Sequence, residues 1–459
     1  MRQDANPRLI IGVFRRGLRV NEGTLTTSAA GRTFRSVRQN PWWIPRFLGG
    51  VPQDIGPAQL RVLGLVTIAM LFENYDMVLL ANSLPQLAAT FGLDSVELGW
   101  FTGLTRLGAL PGFFLLLLAD RFGRRRLLLI SIAGMSAGSC LTALVQSPVQ
   151  FVSVQIVTRS FIVSAAMTSF VIISEEFPAA SRGWGIGILS GVGAVGFGMG
   201  ALLYGAVNWL PFGWRALYAV GLAPLFFLPA IARELHETAR FLAQRDTGAP
   251  GSFRGVLLPI AGLLRQHPRR VVAIALIAAL SNAGIGSSLQ FVSQNLQTER
   301  GWSPGNFALF AIIFGVFGII GNPIAGRLGD RFGRRLVTSS ALVLFPLTTI
   351  GFYLGPASLV ALPWTLMVFL SMASGVGVRT LATEIFPTAF RGTGAGSLAL
   401  LETVGGSAGL LIYTAAVSVL GNQPLAVSLV SLACLGAAAS VFLVPETAQR
   451  ELEEVSCGA

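Results

Sequence analysis

Glu73, Asp76, Arg106, Arg159 and Glu402 are ionisable side chains inside stretches of this chain that are otherwise apolar. Charge is costly there and is kept for holding or moving charge. Glu73 and Asp76 are three residues apart, with Asn74 and Tyr75 between them, so the two acids share a helix face. At 1.5 Å per residue, Asp76 lies about 9 Å below the end of its run, and Arg106 about 10 Å below the end of the next, antiparallel run. Pairing between them is expected, with Arg159 somewhat deeper. A carboxylate released from a guanidinium in low dielectric can take up a proton. The chemistry this predicts is proton coupling, with Asp76 first, Glu73 second and Arg106 as gate partner; the alternative is a static ion pair that fixes packing. Arg159 either holds an anionic substrate or neutralises Glu73 or Asp76. Tyr75, Arg159, Asn282, Gln290 and Glu402 are the candidate substrate-binding side chains. The two amides could equally serve as glue between helices.

The elements that carry these groups must be membrane helices. Of 459 residues, 53% are hydrophobic and 12% charged, with a mean hydropathy of +0.67; soluble domains carry roughly 25% charged residues. All 33 basic residues are arginine, which excludes lysine Schiff-base chemistry and a P-loop lysine. Cys140, Cys434 and Cys457 have no paired spacing, and His236 and His267 both lie in one polar segment. No metal, no cofactor and no catalytic triad is expected, and the chain does not read as an enzyme.

Twelve apolar runs are long enough to span a bilayer: 60–81, 98–119, 126–146, 149–172, 185–206, 214–233, 270–294, 305–327, 336–355, 358–380, 393–418 and 424–444. They divide the chain into a first six-helix bundle (60–233), a polar central loop (234–269) and a second bundle (270–445), flanked by tails 1–59 and 446–459. The even-numbered connections carry the arginines, whereas the odd ones have almost none apart from Arg300. The positive-inside rule therefore puts both termini and the central loop in the cytoplasm and makes the net charge of +12 a topology signal, not a nucleic-acid footprint. Segment 1–59 is rich in arginine and lacks the apolar core of a signal peptide. A disordered cytoplasmic tail or a start assigned too far upstream is expected there, and a transit peptide has similar composition.

The two halves repeat each other. Ala119-Asp120-Arg121-Phe122-Gly123-Arg124-Arg125 returns 210 residues later as Gly329-Asp330-Arg331-Phe332-Gly333-Arg334-Arg335. Glu175, Arg182 and Glu237 return 209 residues later as Glu384, Arg391 and Glu446. Three segments in one register point to a duplicated transporter. With these residues the chain resembles the major facilitator superfamily over about residues 60 to 450. Gly326 to Arg335 fits its signature of Gly, three residues, Asp, a basic residue and Gly-Arg-Arg; the first copy departs, with Leu116 in place of the leading Gly.

The resemblance implies an all-α fold of two pseudo-symmetric six-helix bundles working by alternating access. It also implies a cytoplasmic gate network of Asp120, Arg121, Arg124, Arg125, Glu175, Arg182, Glu237, Arg240, Asp330, Arg331, Arg334, Arg335, Glu384, Arg391 and Glu446. Such contacts are expected to form when the cytoplasmic side is closed. His236 before Glu237, and Ala448-Gln449 after Thr447, depart from the sugar-porter pattern and point to a related metabolite:proton symporter branch. The expected function is proton-coupled uptake of a small polar or anionic metabolite (a sugar, polyol or organic acid) by a monomer in the cell membrane. A drug or metabolite exporter is the alternative, and it lacks support from helix 5, where no proline occurs between 179 and 210. A transporter-like sensor would need an output domain.

Overall fold

The computed structural model describes residues 51–117, 122–178, 181–238, 241–242, 262, 264–385 and 391–448. Asp120, Arg121 and Arg240 lie outside these residues, as do residues 1–50 and most of the central loop. In the first half, α1 is Pro57–Asn82, α2 is Ser95–Leu107 with Ala109–Leu117, α3 is Arg124–Leu144, α4 is Pro148–Glu176, α5 is Arg182–Gly205, and α6 is Trp214–Val220 with Pro224–Glu234. In the second, α7 is Pro268–Gln290 with a distorted continuation to Glu299, α8 is Pro304–Ile319 with Gly321–Phe332, and α9 is Arg334–Leu354. There α10 is Ala361–Glu384, α11 is Arg391–Leu420, and α12 is Gln423–Ser431 with Ala433–Val441. The fold is that of twelve membrane helices in two six-helix halves.

Local chemistry starts and stops these helices. Proline occupies the first turn of α1, α4, α7, α8 and α12, where its missing N–H costs nothing. Ser147, Ser303 and Asn422 accept hydrogen bonds from the N–H groups of Gln150, Asn306 and Leu425, filling orphan donors of the first turn. Gly123 and Gly333 make the turns into α3 and α9 at φ of 99° and 103°, and a Cβ there would lie 2.2 and 2.8 Å from the carboxylates of Glu237 and Glu446. Both the dihedral and the space demand glycine. In its second copy the Asp-Arg-Phe-Gly motif is less of a loop than its composition suggests: α8 runs on to Phe332, and the turn is confined to Gly333.

Eleven helices among the described residues are individually long and apolar enough to cross a membrane. The twelfth, α2, is interrupted at Gly108, yet its two pieces together are about 34 Å long. The interruption has a packing cause: a Cβ at Gly108 would meet Ile156 Cα of α4 at 2.5 Å, and one at Gly112 would meet Ser160 O at 2.6 Å. Large apolar side chains cover the outside, Val149, Phe226 and Val419 being 75, 79 and 85% exposed, as a lipid-facing surface requires. Residues 51–56, expected in the tail, belong instead to the packed protein: Ile55 is fully buried, and Ser181, just before α5, donates its hydroxyl to Asp54.

The repeat is visible in the packing. α1 lies along α5 as α7 lies along α11; α3 packs on α4 and α6 as α9 packs on α10 and α12. The halves meet through α2 against α11 and α5 against α8. At the end opposite the Arg124 and Arg334 turns, a ring of three hydrogen bonds ties them. Gln86 Nε2 donates to Gln297 Oε1 at 3.1 Å, Gln297 Nε2 to Tyr204 OH at 2.6 Å, and Tyr204 OH to Gln86 Oε1 at 2.9 Å. Ser293 Oγ also donates to Asn82 O at 2.6 Å. Toward the basic end, a Cβ at Gly326 would meet nothing within 4 Å. Among the described residues, the hydrogen bonds that join the halves lie at mid-depth or at the end opposite the basic turns.

Candidate functional site: charged residues between and within the halves

Two sets of charged residues stand out. At the basic end each half carries the same strut. In the first half, Arg124 Nη2 pairs with Glu175 Oε1 of α4 at 3.1 Å, and Thr238 Oγ1 donates to the other oxygen of Glu175 at 2.5 Å. Glu237 Oε1 accepts the backbone N–H groups of Arg124 and Arg125 at 2.9 and 3.2 Å. In the second half, Arg334 Nε pairs with Glu384 Oε2 of α10 at 2.8 Å, and Thr447 Oγ1 donates to the same oxygen at 2.6 Å. Glu446 accepts from the backbone of Arg334 and Arg335 at 2.9 and 3.1 Å. Each carboxylate thus caps the first turn of α3 or α9, where the helix dipole favours negative charge. Arg125 and Arg335 donate to the carbonyls of Leu235 and Phe442, and Asp330 pairs with Arg334 at 2.9 Å.

These struts correct one expectation. They tie α3 to α4 and α6, and α9 to α10 and α12, so each lies inside one half and forms without closure between the halves. Arg331 is exposed and lies over the Phe332 ring. Arg182 begins α5 with its Nε buried and without a partner among the described residues. Arg391 begins α11.

The second set lies at mid-depth. Asp76 is buried, and Ser139 Oγ of α3 donates to its Oδ1 at 2.6 Å, while Oδ2 has no hydrogen-bond partner among the described residues. Glu73 Oε2 accepts from Asn74 at 2.6 Å. Tyr75 turns the other way and donates to Leu217 O of α6 at 2.7 Å, so it serves packing between α1 and α6. Arg159 lies within electrostatic reach of Asp76, Tyr218 and Glu73; its Nη1 faces Met77 Sδ at 3.0 Å, and its Nε is buried with no acceptor among the described residues.

The expected Asp76–Arg106 pair is not what the structure brings together. Arg159 is the guanidinium beside Asp76, whereas Arg106 reaches across to the second half and donates to Asn282 Oδ1 of α7 at 2.5 Å. The reason is rotational: depth matched, but Arg106 points at the α7–α11 seam. There a Cβ on Gly286 or Gly406 would lie 2.9 or 2.5 Å from its guanidinium. Arg106 and Arg159 are close enough to repel each other, and among the described residues neither has a carboxylate within 4.0 Å.

Glu402 is half-buried on α11, within reach of Arg106 and of Arg379. Gln290 is half-buried with its amide nitrogen unpaired. Arg379 was missed by the sequence argument. It lies inside the tenth apolar run, five residues before Glu384, so the rule that singled out Arg159 applies to it equally. Ser139, Gly286 and Gly406 carried no signal among many serines and 54 glycines. Among the described residues, no group of His, Cys, Asp or Glu could hold a metal ion.

Two duplicated six-helix halves, joined at one end and carrying charge at mid-depth, define a secondary transporter. The chain belongs to the Major Facilitator Superfamily, whose family model matches residues 66–410 and 271–454. It is 28% identical over 343 residues to the cis,cis-muconate transport protein of Acinetobacter baylyi, covering 72% of this chain and 80% of that one. It is 26% identical over 419 residues to the gallate transporter of Pseudomonas putida, covering 85% and 92%. The inward-open structure of the xylose transporter XylE from E. coli superposes with a TM-score of 0.64 at 21% identity, covering 86% of this chain and 99% of that one. The protein is a multi-pass membrane transporter, not an enzyme.

Proposed function

We propose that this protein takes up a small organic acid, aromatic or unsaturated aliphatic, together with protons. The observation that carries the reading is the pair Arg106 and Arg159: two guanidiniums at mid-depth, close enough to repel, each without a carboxylate within 4.0 Å among the described residues. The acids that act on them, Asp76 and Glu73 on Arg159 and Glu402 on Arg106, make no ion pair within 4.0 Å among the described residues, so an anion that reached both forks would gain from both. A substrate carboxylate between them would satisfy both forks. The relatives named for muconate and gallate transport support an acid over a sugar or polyol.

Asp76 and Glu73 are the proton carriers in this reading, with Arg159 as the partner that senses them. When an anion engages Arg159, less of its field reaches Asp76, and the protonated acid is favoured. Glu402, Asn282 and Gln290 line the second half of the same site. By the positive-inside rule the basic struts face the cytoplasm, so the closure opposite them describes an inward-facing state. Both termini are then cytoplasmic, the membrane is the cell membrane, and a single chain suffices.

The test is thermal unfolding of the purified protein against gallate, cis,cis-muconate, xylose, a polyol and a lipophilic cation, since a ligand of the native state raises its apparent stability. A shift with the acids alone is expected. A shift confined to the sugar would overturn the anion assignment, and one confined to the lipophilic cation would favour efflux.

A further inference from the structure

The seat of Arg106 has a construction of its own. α7 offers Asn282 and Gly286, and α11 offers Glu402 and Gly406. Each is an i, i+4 pair, so each helix presents a polar group one turn from a bare glycine on the same face. Both helices start at the basic end, which puts both polar groups on that side of the guanidinium. A Cβ on Gly406 would lie 2.5 Å from Arg106 Cζ and Nε, and one on Gly286 would lie 2.9 Å from Nη1. No side chain larger than hydrogen leaves the guanidinium where it is. Behind the seat the two helices touch backbone to backbone, since a Cβ on Gly405 or Gly409 would meet Ala279 Cα at 2.3 Å or Ala283 O at 2.5 Å. Among the described residues, the Arg106–Asn282 contact is the one hydrogen bond between the halves that is not at the end opposite the basic turns.

We propose that Gly286, Gly406 and Asn282 form a socket in the second half that captures Arg106 of the first, and that this capture holds the halves closed at the end opposite the basic struts. Gly286 and Gly406 are positioning residues: they touch no substrate and act by letting the guanidinium in. When the halves part at that end, α2 carries Arg106 away from Asn282. The freed guanidinium then needs an anion, because charge without a partner at this depth is costly. On the organic-acid reading given above, a substrate carboxylate beside Arg159 fills that need, and loading becomes coupled to opening.

The experiment contains no substrate, so the socket and the substrate assignment stand or fall apart. Cys140, Cys434 and Cys457 are replaced by serine, and spin labels are placed at Val149, at the tip of α4, and Leu359, between α9 and α10. Pulsed EPR in lipid nanodiscs reads their separation. Gly406→Ala is expected to add a longer-distance population to the single short one. Asn282→Ala, which removes the acceptor without crowding, is expected to do the same and carries the test if Gly406→Ala does not fold. Gly198→Ala, in open space on α5, should leave the distribution as it was. Short distances retained in both Gly406→Ala and Asn282→Ala would overturn the proposal, as would lengthening in the Gly198→Ala control.

Discussion

Ser139 of α3 gives its hydroxyl to one oxygen of Asp76 on α1 at 2.6 Å, and the other oxygen of that buried carboxylate receives no hydrogen bond from any described residue. The half-satisfied acid has an open position for a proton. Asparagine would keep the acceptor toward Ser139 and abolish the titration. Asp76→Asn is therefore expected to fold with a stability within about 1 kcal/mol of the parent, to exchange substrate across the membrane, and to lose concentrative uptake. Proteoliposomes with an inward proton gradient measure this. Accumulation by the variant equal to that of the parent would remove Asp76 from the coupling step.

Arg159 offers an unpaired Nε within reach of Glu73 and Asp76. If it also holds a substrate carboxylate, Arg159→Gln forfeits a charge-assisted hydrogen bond of about 1.5–3 kcal/mol. Substrate affinity should fall roughly 10- to 100-fold, as read by equilibrium binding. An unchanged dissociation constant would leave Arg159 a neutraliser of the two acids.

Glu402 occupies the field of Arg106 and Arg379 that an anionic substrate would share. Removing its charge should help such a substrate, and removing the arginine should hinder it. We expect Glu402→Gln to tighten binding of an organic acid several-fold and Arg379→Gln to weaken it by a comparable factor, with non-additive effects in the double variant because the two groups interact. Competition against a labelled acid separates these outcomes, and weaker binding in Glu402→Gln would make Glu402 a direct ligand.

Glu446 titrates outside the membrane spans. Burial works against its charged form, but the backbone N–H groups of Ala448, Arg334, Arg335 and Thr447 outweigh it and hold the carboxyl below its ordinary value of 4.5. The unfolded chain binds this proton more readily than the folded protein. The stabilisation is therefore complete above about pH 4.5 and is lost as pH falls further, through the folded value. Glu446→Gln should cost no more than about 1 kcal/mol at neutral pH and should flatten the acid limb of a thermal-unfolding series. An acid limb identical to the parent's would show that the cap contributes nothing.

Much of the architecture was legible in the residues. Apolar runs of about 20 residues announce spans whatever they pack against, and the recurrence of Glu175 and Glu237 as Glu384 and Glu446 announced the duplicated strut. Depth was legible too, because a helix rises by a fixed step per residue. Azimuth was not: Arg106 stood at the depth of Asp76 but faces α7 and α11, and nothing local to residues 98–119 fixes that rotation. Packing fixes it, through glycines at 286 and 406 whose meaning appears only when two distant helices are laid side by side. Arg379 is a different case. It was visible under the same criterion as Arg159 and was passed over because it lies near the end of its run.

The ring of Gln86, Tyr204 and Gln297 contains no formal charge. Ion pairs weaken as salt is added and change as carboxylates protonate; bonds among amides and a phenol do neither across ordinary conditions. The ring's share of the closure is therefore indifferent to brine and to mild acid. A carrier exposed to a changing medium would keep this part of its resting posture in all of it, leaving the response to acidity to its carboxylates.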